Sequence, residues 1–116
     1  MDKTRNILEQ AIADCEVLAK SPLLSSKTRN SSQGVVNRHK SQFTKDVADE
    51  KYVIACIEDL YSEASLIRAR NPDIYEKNKP IYQRLEEARD FVFKTTGQFN
   101  LRKADGDTET SLDIEI

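Results

Sequence analysis

Between residues 3 and 20 the apolar side chains Leu8, Ala11, Ile12, Cys15, Leu18 and Ala19 recur at three- and four-residue intervals. That spacing places them on one face of a helix. Pro22 has no amide hydrogen and biases Ser21 away from helical angles, so this first helix is expected to end near Lys20. A second and stronger stripe, Val47, Ile54, Ile57, Leu60, Tyr61, Ala64 and Ile67, predicts a helix that begins near Asp46 and stops at Asn71. Asp46 is the expected cap for its free amides, with Asp49 and Glu50 adding favourable charge at the positive end. Asn71-Pro72 combines a preferred capping residue with a proline suited to the first position of a new helix. A short helix is therefore expected near 72 to 78. Pro80 then separates it from a third main helix, about 79 to 95, whose stripe is Ile81, Leu85, Ala88 and Val92, flanked by Tyr82 and Phe91. One continuous helix kinked at Pro80 is the alternative. Gly97 is placed to take the left-handed angles that close a helix.

Two stretches lack this periodicity. Residues 21 to 45 hold six serines, two asparagines and a glycine, and apart from Phe43 near the end their apolar side chains come only in the pairs Leu23-Leu24 and Val35-Val36. They read as a long mobile connection whose pairs could dock on the core. After Gly97, alternation at Phe99 and Leu101, and again at Leu112, Ile114 and Ile116, surrounds an Ala-Asp-Gly-Asp turn signal. An isolated hairpin is marginal in water, so a mostly disordered acidic tail is preferred over a hairpin. The fold class expected is all-α: a three- to four-helix bundle over 1 to 104, with a long basic loop after the first helix and an acidic tail over 105 to 116.

Length and charge sharpen this outline. A chain of 116 residues is one small domain, and 38% hydrophobic against 33% charged residues leaves part of it outside the core. The net charge of -2 hides two opposed runs: residues 21 to 45 carry Lys27, Arg29, Arg38, Lys40 and Lys45 with no acid, whereas 105 to 116 carry five acids and no base. No apolar run is long enough for a bilayer, and the N-terminus lacks a secretory pattern, so an intracellular, cytoplasmic protein is expected. Cys15 and Cys56 fall on apolar faces and are expected as buried reduced thiols. A disulfide between them would require their two helices to pack closely.

The residues offer little catalytic chemistry. One histidine, His39, lies far from both cysteines, which argues against a zinc site, and it reads as a solvated surface side chain. Gly34, Gly97 and Gly106 are too scattered for a phosphate loop. Glu58, Asp59, Glu63, Glu86, Glu87 and Asp90 could meet across a bundle around a divalent ion. Without Glu-x-x-His motifs, however, they read as solvated helix faces partnered by Arg68, Arg84, Arg89 and Lys94. No enzyme activity, cofactor, metal or small-molecule substrate is expected.

Two functional readings follow. The first is a non-enzymatic protein-binding module, an adaptor, inhibitor or small subunit, whose spare apolar residues Tyr52, Tyr75, Phe91 and Phe93, with Leu112, Ile114 and Ile116 of the tail, complete a hetero-complex or a homodimer. The alternative is nucleic-acid binding through Lys27, Arg29, Arg38, His39, Lys40, Phe43 and Lys45, modulated by the acidic tail. Ser32 and Ser41, each three residues after an arginine, would let a kinase add negative charge to the same run.

Overall fold

The computed structural model describes residues 2–43, 49–102 and 108–109. Among them are five helices: α1 Asp2–Ala19, α2 Ser26–Phe43, α3 Glu50–Arg70, α4 Pro72–Lys77 and α5 Lys79–Thr96. A two-residue antiparallel ladder follows, β1 Leu101–Arg102 against β2 Thr108–Glu109, with Leu101 opposite Glu109. The all-helical class holds, and one core joins side chains from all five helices with Phe99.

The apolar stripes of α1 and α5 turn inward as their spacing demands, with all six α1 residues and Ile81, Leu85, Ala88 and Val92 buried. α3 lies at the centre. It buries Val53, Ile54, Cys56, Ile57, Leu60, Tyr61, Ala64 and Ile67, a spread of positions found when a helix is covered on most sides. Phe99 returns from the end of α5 to pack edge-on against Tyr61, ring centroids 5.1 Å apart. The breaks fall where the prolines and Gly97 put them. α4 and α5 are separate helices joined at Asn78, whose carbonyl accepts the Ile81 and Tyr82 amides, and Gly97 takes φ 83° as α5 closes. Both cysteines are buried free thiols, and Cys15 donates to the Leu60 carbonyl at 3.4 Å.

Four expectations need correction. The segment read as a loop contains α2, an 18-residue helix. Ser25 caps it, its hydroxyl accepting the Thr28 amide and its carbonyl the Arg29 amide. Among its described side chains the inward positions are Ser32, Val36 and His39, so over this stretch the helical period is carried largely by polar residues that hydrogen-bond across the interface. The second predicted helix begins later than Asp46: its cap is Asp49, whose side chain accepts the Lys51 amide at 3.0 Å, while Asp46 and Val47 lie outside the described residues. His39, Glu58 and Glu63 are buried instead of solvated, because α3 is covered by α2 on one side and by the chain after α5 on another. The hairpin, not the disordered tail, is what residues 101–102 and 108–109 form; the rest of 105 to 116 lies outside the described residues.

Candidate functional site

α1 and α5 run antiparallel and are joined at both ends of their contact. Near the C-terminal half of α1, the buried Asp14 carboxylate accepts from Arg84 Nε at 3.1 Å and Nη2 at 2.8 Å, and from Gln10 Nε2 at 3.1 Å. This paired geometry fixes guanidinium to carboxylate in one plane. Towards the start of α1, the Lys3 ammonium sits 5.2 Å from the Phe91 ring centroid. Between these ties two of the lining residues are small. Ala11 and Ala88 carry only methyl groups where a leucine would close the gap, and a groove of about 500 Å³ remains. Leu85 completes its floor, and half-buried Ile7 and Phe91 form its apolar walls. Glu87, Asp90 and Lys94 line the α5 rim. A concavity of this size with an apolar floor and a few charges around it is the ordinary form of a binding surface.

The positions proposed for nucleic acid lie mainly on α2, and most are tied into the bundle. Arg29 donates to the Leu24 carbonyl at 2.7 Å, Arg38 and His39 both reach Asp59 Oδ2, at 2.9 and 2.6 Å, and Lys40 reaches Glu16 at 3.0 Å. The hydrogen bond from Lys40 holds the Glu16 carboxyl below its usual range, with Lys20 adding to the effect. Lys27 is exposed near the start of the helix, Phe43 is its last residue, and Lys45 lies outside the described residues. Ser32 is buried and donates to Glu63 at 2.7 Å. A second cavity, about 10 Å³, lies among Arg5, His39, Gln42, Tyr52 and Cys56. Burial pushes the Cys56 and Cys15 thiols up, which keeps them protonated and weakly nucleophilic at neutral pH.

The proposed partner-binding aromatics do not form one patch. Tyr52 borders the small cavity and donates its hydroxyl to Gln42. Tyr75 lies under the Arg68 guanidinium, 3.7 Å from the ring centroid, and beside Tyr82. Phe93 is exposed on α5. Phe91 alone of the four lines the α1–α5 groove, and Leu112, Ile114 and Ile116 lie outside the described residues. Sequence reasoning missed Ile7, Gln10, Asp14 and the two alanines as site residues. The available signal was Ile7, apolar but one position off the α1 stripe; the rest depends on which helix faces which. Among the described residues, no group of three or more His, Cys, Asp or Glu side chains is placed to hold a metal ion, and no helix is long and apolar enough to cross a membrane. Comparison with protein-family models, with curated proteins and with solved structures finds no match to the chain.

Proposed function

We propose that this chain is a non-enzymatic protein-binding domain, an adaptor, inhibitor or small subunit, and that the α1–α5 groove receives its partner. The observation that carries this reading is the groove itself: about 500 Å³ over an apolar floor, bordered by charged side chains from both helices. Apolar walls offer area to bury, and rim charges select orientation. Buried free thiols at Cys15 and Cys56 support the reading of a protein that works in a reducing compartment such as the cytoplasm. Nucleic-acid binding is the weaker reading, because Arg38 and Lys40 meet acids of α3 and α1.

A photo-crosslinking residue at the exposed rim position Glu87, compared with one at exposed Asn30 on α2, tests the proposal in the cell that makes the protein. A discrete protein adduct from position 87 and none from position 30 is expected. Adducts from neither position, or the same adducts from both, would overturn it.

A further inference from the structure

The groove is asymmetric along its length in two ways that coincide. At one end, α1 supplies Ile7 and α5 supplies Phe91, both large; at the other, the facing residues are Ala11 and Ala88. Charge follows the same division. Lys3 and Lys94 outnumber Asp90 at the bulky end, whereas at the small end Arg84 is bound to Asp14 and Glu87 is left to set the sign. The helices are antiparallel, so these two ends are common to both helices. Reversing the groove end for end therefore sets large residues over small ones and excess positive charge over negative.

A surface that is its own complement under a two-fold rotation is what an isologous dimer requires, since every contact then occurs twice. We propose that the occupant of the groove is a second copy of this chain, with each α1 and α5 reversed against its counterpart; this rests on the protein-docking reading above. Ile7 and Phe91 of one copy would lie over Ala11 and Ala88 of the other, and Lys94 would face the turn of α5 that carries Glu87. The span from Lys3 to Asp14 is about 16 Å at about 1.5 Å per residue. A face of that length lies at the small end of specific interfaces, so the dimer is expected to be weak and concentration-dependent.

Sedimentation equilibrium of the purified full chain between roughly 10 and 500 µM is the test, with folding of each variant checked by circular dichroism. The mass should rise from monomer towards dimer across this range. Glu87→Lys and Lys94→Glu, both at exposed positions, should each weaken association about threefold to tenfold, since every rim contact is lost twice. The double swap Glu87→Lys with Lys94→Glu in one chain should recover most of that loss, because the two ends exchange sign together. A monomer at all concentrations overturns the inference, and so does a dimer indifferent to both single reversals. If the purified chain is monomeric while position 87 still captures another protein in the cell, the second-copy inference falls and the docking groove stands. If position 87 captures nothing as well, both fall.

Discussion

Buried carboxylates give the sharpest residue-level tests. Glu58 is packed inside and accepts the Asn100 amide at 2.9 Å, yet burial raises its carboxyl above the usual range despite that bond. A carboxyl raised in the folded state is a cost that grows as pH climbs through its unfolded value. Glu58→Gln keeps an acceptor for Asn100 without the charge, so it should be more stable than the parent at pH 7, with the difference closing as pH falls below the ordinary carboxylate value. Urea denaturation at several pH values checks this. Ser32→Ala removes the hydroxyl that donates to buried Glu63 and should cost about 1–2 kcal/mol. Gly34, exposed inside α2, has open space where a Cβ would go, so Gly34→Ala should stabilise by about 0.5–1 kcal/mol in thermal unfolding. None of the buried acids was legible in the sequence. Glu58 and Glu63 look like any charged helical positions until the covering of α3 is known.

Among the elements, α2 differs from the rest. α1, α3 and α5 were legible because leucine, isoleucine and alanine repeat at helical spacing, and Pro72, Pro80 and Gly97 mark their limits. α2 was not, since the inward positions among its described side chains are a serine, a valine and a histidine, and the glycine and serines around them lower intrinsic helix propensity. Its hold on the bundle, over the described side chains, is largely polar: Ser32 to Glu63, Arg38 and His39 to Asp59, and Lys40 to Glu16, around the fully buried Val36. Exposed ion pairs contribute little, and segments with few buried apolar contacts open most readily. Amide hydrogen exchange should therefore be faster along α2 than along α3. Equal protection of the two helices would contradict this picture of the interface.

For the whole molecule, the distribution of residue sizes is what links fold to function. A core closed by large residues everywhere would leave a smooth surface. α1 and α5 meet through Ala11 and Ala88 and leave a channel between their charged rims. Periodicity alone marked both alanines correctly as core, but only the pairing of the two helices shows that they are also the floor of a groove. The central claim is that the partner this groove receives is a second copy of the chain. Its most direct test is hydrogen exchange read by mass spectrometry on the full chain at about 10 and about 500 µM, below and within the range expected for a small interface. Protection rising with concentration along residues 3–14 and 84–94, with α2 unchanged, is the expected result. Protection that does not change with concentration, or that rises on α2 instead, would contradict it.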